Sequence, residues 1–270
     1  MVSAKKEFES AGERFGLSTT LQSIADDQMR HGDLPEAITS LTHAATAFEE
    51  LGNAGDAAAV CAESATALAR LGELDRAEVA LTRAGQHVEA AGEPGTATYV
   101  RLARAEYLLR RGDRKAALRE LERAETGLAN TAFGTRIRAR SAGFRALIAI
   151  LDDDPVRARR VLDTATRGLI IGRNGSMTTA SGAQPDDLAM FAQLYAALAM
   201  RDGNATAAAH LLGAAAAMLG TEDRRGYDYL IAPADRAREA LGAEAFTIAY
   251  ESTAGLRPTA AIEFLQSQAT

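Results

Sequence analysis

Tryptophan is missing from this 270-residue chain, cysteine occurs once, and lysine occurs only as Lys5, Lys6 and Lys115. The lone Cys61 excludes an internal disulfide, and with it the small disulfide-stapled secreted scaffolds; this usage fits a cytoplasmic protein. No apolar run approaches the roughly 18 residues of a membrane-spanning helix, and the N-terminus lacks a signal-peptide core. Aromatic residues make up only 5% and little reads as strand, whereas alanine, the strongest helix former, supplies roughly a fifth of the chain. Arginine therefore carries almost all of the positive charge. Its distribution is uneven: residues 1–100 hold 7 basic and 16 acidic side chains (−9), residues 101–173 hold 17 and 9 (+8), and residues 174–270 hold 6 and 11 (−5).

What the sequence does contain is a repeat. The stretch GELDRAEVALTRA, Gly72 to Ala84, sets out a skeleton of glycine, alanine five residues on, then leucine and alanine at further steps of four and three. It recurs as Gly32, Ala37, Leu41, Ala44, and as Gly112, Ala117, Leu121, Ala124. With Asp153 in place of glycine it returns at Ala158, Leu162, Ala165, and finally as Gly203, Ala208, Leu212, Ala215. The first alanines are 40, 40, 41 and 50 residues apart. Self-similarity at a period of this size signals an array of supersecondary units. Alanine, leucine and alanine at i, i+4 and i+7 share one helical face, and glycine supplies the backbone geometry that ends the preceding helix. Matching stripes precede the turns, as in Leu21, Ile24, Ala25 and in Cys61, Ala65, Leu68. Each unit therefore reads as helix, tight turn, helix.

The expected units lie near 18–51, 56–91, 96–129, 137–171 and 186–219, an array over 1–219. Ala4, Phe8 and Gly12 repeat the spacing of Ala44, Phe48 and Gly52, so residues 1–15 read as half a repeat, as if cut from a longer protein that continues upstream. Before the fourth unit's second helix, Asp152, Asp153, Asp154 and Pro155 form a capped turn. The polar segment from Gly172 to Asp187 accounts for the step of 50 and reads as a surface loop. Residues 220–270 break the pattern and read as a C-terminal helical cap, with helices opening at Pro233, near Ala243 and after Pro258.

The small–large–small spacing of Ala37, Leu41 and Ala44 and their counterparts resembles the second helix of the tetratricopeptide repeat. That resemblance implies an all-α, right-handed superhelical solenoid of helix pairs. The period exceeds the usual 34 residues, and the family's helix-ending proline is absent. Near the C-terminus, Leu211, Leu212, Gly213, Ala214 and Ala215, then Arg236, Leu241, Gly242, Phe246, Ala249 and Gly255, are similar to the end of the helical region in large actinobacterial transcription regulators of the antibiotic-regulatory-protein and LuxR-like ATPase classes. This second resemblance implies a regulatory or sensor module that contacts other domains of its regulator or a partner protein. A small-molecule effector suits the class, and direct DNA binding by this region is not expected. The alternative is a free-standing adaptor that takes a peptide or protein in its groove.

No enzyme chemistry is legible. The glycines from Gly172 to Ser181 lack the following lysine of a phosphate loop. His31, His43, His87 and His210 have no second ligand at metal spacing; His43, His87 and His210 read as helix-surface residues, and Cys61 as a buried core thiol. No cofactor is expected. Arg30, Arg70, Arg110 and Arg201 each precede a turn glycine by two residues, where a cation stabilises a helix C-terminus. The tetratricopeptide resemblance implies that first helices line a concave groove, which would place these arginines there with Gln22, Asp26, Met29, Thr66, Tyr99, Leu102, Glu106, Leu147, Gln193 and Met200. Arg136, Arg138, Arg140, Arg145, Arg157, Arg159 and Arg160 recur at helical spacing and read as a basic docking face.

Overall fold

Every turn glycine of the repeat skeleton that the sequence singles out takes a left-handed backbone conformation. In the computed structural model of the chain, residues 14–126, 128, 132–170, 185–220 and 232–269 are described. Among them are thirteen helices and no strand, so the all-helical expectation holds. The half repeat at Ala4, Phe8 and Gly12 and the loop at 172–184 lie outside the described residues. No described helix is long and apolar enough to cross a membrane.

The chain forms two compact units, Met1–Thr126 and Gly127–Thr270. The first contains α1 (Arg14–His31), α2 (Leu34–Glu50), α3 (Ala54–Arg70), α4 (Leu74–Ala91), α5 (Pro94–Arg110) and α6 (Arg114–Glu125). Sequential helices pack as antiparallel neighbours, and α3 also lies directly against α5. The second contains α7 (Ala132–Leu151), α8 (Pro155–Ile170), α9 (Pro185–Arg201), α10 (Ala205–Leu219), α11 (Pro233–Leu241), α12 (Ala243–Ala254) and α13 (Pro258–Gln266). Here α10 is the hub. Its partners are α9, α11, α12 and α13, and its near-continuous alanine and leucine surface is buried almost all round. The three tail helices thus share a core with the last repeat pair.

One backbone device joins the pairs. Gly72 has φ +85° and Gly112 φ +82°. Across Gly72, Gly72 N–H donates to the Ala69 carbonyl (3.2 Å) and Glu73 N–H to the Leu68 carbonyl (2.9 Å). These two bonds satisfy carbonyls that a helix end leaves open, the Schellman arrangement. The six-to-one bond recurs from Asp33 to Gln28, Asn53 to Phe48, Asp113 to Leu108, Asp154 to Ala149 and Asn204 to Ala199, each at 2.8–2.9 Å. At the fourth unit Asp153, standing where glycine stands elsewhere, adopts φ +63° itself. At four of the turns the next residue then caps the following helix. Asn53, Asp113, Asp154 and Asn204 side chains accept from the N–H groups of Asp56, Ala116, Arg157 and Ala207. Three residues suffice to end one helix and start another.

So short a connection sets the rotation of each second helix and turns its stripe inward. Ala37, Leu41 and Ala44, Ala77, Leu81 and Ala84, and Ala117, Leu121 and Ala124 are all buried. Each such leucine contributes about 1.5–3 kcal/mol by leaving water, and the flanking alanines allow close helix approach.

Two glycine substitutions should differ in sign. An added Cβ at Gly72 meets nothing within 4 Å, so Gly72→Ala costs only the left-handed backbone, about 1–2 kcal/mol. Gly85, inside α4 and also open, gains up to about 1 kcal/mol as alanine. Gly213→Ala is the severe case: its Cβ would lie 2.1 Å from the Tyr250 carbonyl oxygen and 2.3 Å from Thr253 Oγ1. Thermal melts should rank Gly85→Ala above wild type, then Gly72→Ala, with Gly213→Ala lowest.

Candidate functional site

Within the first unit, the first helices α1, α3 and α5 exchange polar side chains across their shared face. Gln22 Nε2 donates to Glu63 Oε1 at 2.9 Å, and the Tyr99 hydroxyl donates to the same oxygen at 3.2 Å. One glutamate on α3 thereby ties α1 to α5. One turn or two further on, Arg70 grips Glu106 through Nε (2.8 Å) and Nη2 (3.2 Å), and Arg110 Nη2 reaches the same carboxylate at 3.2 Å. Side-chain exposure is 7% for Arg70, 4% for Glu106 and 2% for Arg110. These are buried charges, and Arg70 and Arg110 do more than interact with a helix dipole. Around them, Asp26 is exposed, Arg30 and Thr66 are half-buried, and Leu102 is buried.

Glu63 was not legible as a site residue. Its only sequence signal is that, beside Asp56, it is the sole acid in the alanine-rich α3. Gln193 and Arg201 lie in the other unit. Gln193 is buried on α9; Arg201 donates to the Ile150 carbonyl at 3.2 Å and pairs with Asp153, so it braces the turn after α7.

The arginines of the second unit do not act as one set. Arg140 donates through Nε to the fully buried Asp187 at 2.8 Å, joining α7 to the start of α9. Arg159 pairs with Asp202 at 2.6 Å. Arg136, Arg157 and Arg160 are exposed, and Arg138 and Arg145 half-buried. Arg138 and Arg160 flank a cavity of about 490 Å³ between α7 and α8, together with Thr135, Ala139, Val161 and Thr164. Tyr195 donates to Asp163 at 2.6 Å in the interior; burial, then this bond, raises its phenol pKa far above the usual value.

A third cluster corrects the sequence reading. His87 is not a surface residue of α4 but is half-buried, with Nε2 2.6 Å from Glu49 Oε1. Arg83, one turn earlier on α4, holds both oxygens of Glu49, with Nε to Oε1 at 2.7 Å and Nη2 to Oε2. Cys61, from α3, completes the group: its Sγ, a Glu49 oxygen and a His87 nitrogen lie within 4.8 Å of one another. The second ligand that spacing denied to His87 comes from two other helices. Burial raises the Glu49 pKa, but hydrogen bonds and charge from Arg83 and His87 outweigh it, and the net shift is downward. Burial pushes the Cys61 thiol up to about 11, despite the opposing charge of Arg83. Cys61 and Arg83 also border an open cavity of about 350 Å³ lined by Ile38, Leu41, Ala45 and Leu68. These residues could hold a metal ion.

Comparison with protein-family models, with curated proteins and with solved structures gives no match.

Three consequences are measurable. Glu106→Gln removes a carboxylate shared by two buried guanidinium groups, and loss of one partner from a buried charge cluster costs about 3–5 kcal/mol. Urea unfolding should show a loss of that size; a loss below 1 kcal/mol would mean the cluster is hydrated. Glu49, whose pKa folding depresses, adds stability that is present above its ordinary 4.5 and lost as pH falls through the lower folded value. Acid unfolding of Glu49→Gln should accordingly be shallower than wild type between pH 4.5 and the lower folded value, while Cys61 should alkylate far more slowly at pH 8 in the native than in the unfolded chain.

Proposed function

We propose that this chain is a non-enzymatic helical-repeat module whose pairs are tetratricopeptide-like and wound as a right-handed superhelical solenoid. In this reading it is the regulatory or sensor region of a transcription regulator, and it works by contacting protein through the face built from its first helices. The observation that carries the reading is the pair of polar clusters on α1, α3 and α5 in the first unit. Gln22, Glu63 and Tyr99, and then Arg70, Glu106 and Arg110, link successive first helices to one another. Links of this kind fix the spacing of three helices, and so fix the half-buried and exposed side chains between them, such as Thr66 and Asp26, in a row. Stacked repeats build extended binding surfaces in this way, with few chemical demands on any one residue. The buried Glu106 carboxylate is held by the Arg70 and Arg110 guanidinium groups, which suits a scaffold better than acid–base chemistry.

A free-standing adaptor would use the same face, and the nature of the partner separates the two readings. The exposed arginines Arg136, Arg157 and Arg160 fit a contact with an acidic protein surface. Such a contact should weaken with salt, because exposed charges are screened over about 8 Å at physiological ionic strength.

The test is site-specific photo-crosslinking in the source cell. A photoreactive residue at Thr66 on α3 should capture a protein partner, whereas one at the exposed Thr82 on α4 should not. A partner carrying ATPase or DNA-binding sequence supports the regulator; an unrelated peptide or protein supports the adaptor. Capture from Thr82 but not Thr66 would assign binding to the second helices and sink the reading.

A further inference from the structure

Glu49, Cys61 and His87 are brought together by three consecutive helices, α2, α3 and α4, each fixed in rotation by the turns described above. Their donor atoms are a carboxylate oxygen, a sulfur and an imidazole nitrogen, all within 4.8 Å of one another. Borderline-soft divalent ions select this mixture: magnesium and calcium favour all-oxygen sets, whereas zinc accepts sulfur, nitrogen and carboxylate oxygen at about 2.0–2.3 Å. We propose that Glu49, Cys61 and His87 form a zinc-binding site, with the fourth coordination position opening into the cavity between α2 and α4.

The geometry is within reach of small side-chain movements. Two ligands each about 2.0–2.1 Å from zinc at a tetrahedral angle sit roughly 3.4 Å apart. Glu49 Oε1 and His87 Nε2, now 2.6 Å apart, must therefore separate by less than an ångström, while Cys61 Sγ closes on them. Both of the first two side chains are partly exposed, at 26% and 21%, so neither is locked by packing. Arg83 must release Oε1 and can keep Oε2. It would then act as the outer partner that orients a ligating carboxylate. The cavity bordered by Cys61 and Arg83 supplies a route in for the ion and room for water or a small ligand at the open position. Three protein ligands and one exchangeable position distinguish such a site from a closed structural one.

Protons balance as follows. Cys61 enters as a thiol and binds as a thiolate, so one proton passes to solvent. His87 Nε2 now carries the hydrogen that faces the Glu49 carboxylate, so it gives up that proton before it ligates and the bound imidazole keeps its hydrogen on Nδ1. Because the Cys61 thiol must ionise to ligate, zinc affinity should rise with pH.

The experiment uses the whole chain and cobalt(II) as a spectroscopic stand-in for zinc. One cobalt per chain should bind with a thiolate-to-metal charge-transfer band, and zinc should displace it with a Kd below about 10 µM at pH 8. Cys61 is the only cysteine, so that band reports on one sulfur. Cys61→Ala and His87→Ala should abolish the band and weaken zinc binding at least tenfold. Should either variant fail to fold, zinc protection of Cys61 against alkylation in the wild-type chain gives an independent reading, with the same Kd expected. The proposal is overturned if cobalt gives no charge-transfer band, if zinc leaves alkylation unchanged, or if well-folded Cys61→Ala binds zinc as tightly as wild type.

Discussion

The left-handed residue at the end of each first helix is the constraint on which the rest of the structure depends. Once Gly72 or Gly112 takes a φ above +80°, two backbone bonds close over the helix end, and the chain reverses within three residues. There is then no freedom left in where the second helix points. Its alanine–leucine–alanine stripe meets the preceding helix because the turn has already chosen the rotation. Asp153 makes the same point from the other side. A residue with a Cβ accepts φ +63° because its neighbour Asp154 can both close the six-to-one bond and cap α8, and because Arg201 bonds to the turn. Aspartate is among the few residues for which the left-handed region is tolerable.

Alanine dominates the buried surface, and that choice shapes the interior. Small side chains bring helices close but contribute little transfer free energy each. Interlocking is therefore left to a few large residues, among them Phe48, Leu41, Leu81 and Leu121 in the first unit and Phe144, Phe191 and Leu194 in the second. The same closeness forces extremes such as Gly213, where backbone of α12 occupies the space of a side chain. Between alanine-rich helices, the long polar side chains of Arg70, Glu106 and Arg110 find partners in one another. Removing one member leaves charge uncompensated, whereas the intact cluster holds α3 and α5 in register. Stability and the geometry of the candidate binding face thus rest on the same atoms.

The Glu49–Arg83–His87 group follows a similar logic with a different outcome. It sits nearer the surface, its members keep partial exposure, and a cavity adjoins it. Side chains there can exchange partners without breaking the helices that carry them. Rearrangement is local, and metal entry would draw on that freedom.

The helix–turn–helix units, the buried stripes and the capped turn at Asp152 to Asp154 were all determined by the sequence by itself. Each depends on residues within about seven positions of one another, where backbone geometry and helical periodicity leave few alternatives. The tetratricopeptide resemblance also placed Gln22, Arg70, Tyr99, Glu106 and Arg110 together in one groove. What those residues do was decided only by tertiary structure. Arg70 meets Glu106 across 36 residues, Gln22 meets Glu63 across 41, and Glu49 meets His87 across 38. Arg140 and Arg159, part of one basic pattern in sequence, are separated from it by Asp187 and Asp202. Such pairings depend on helix rotation, on register between neighbouring pairs and on side-chain reach. No local pattern encodes these, because each is fixed only when the stripes of several helices are buried at once.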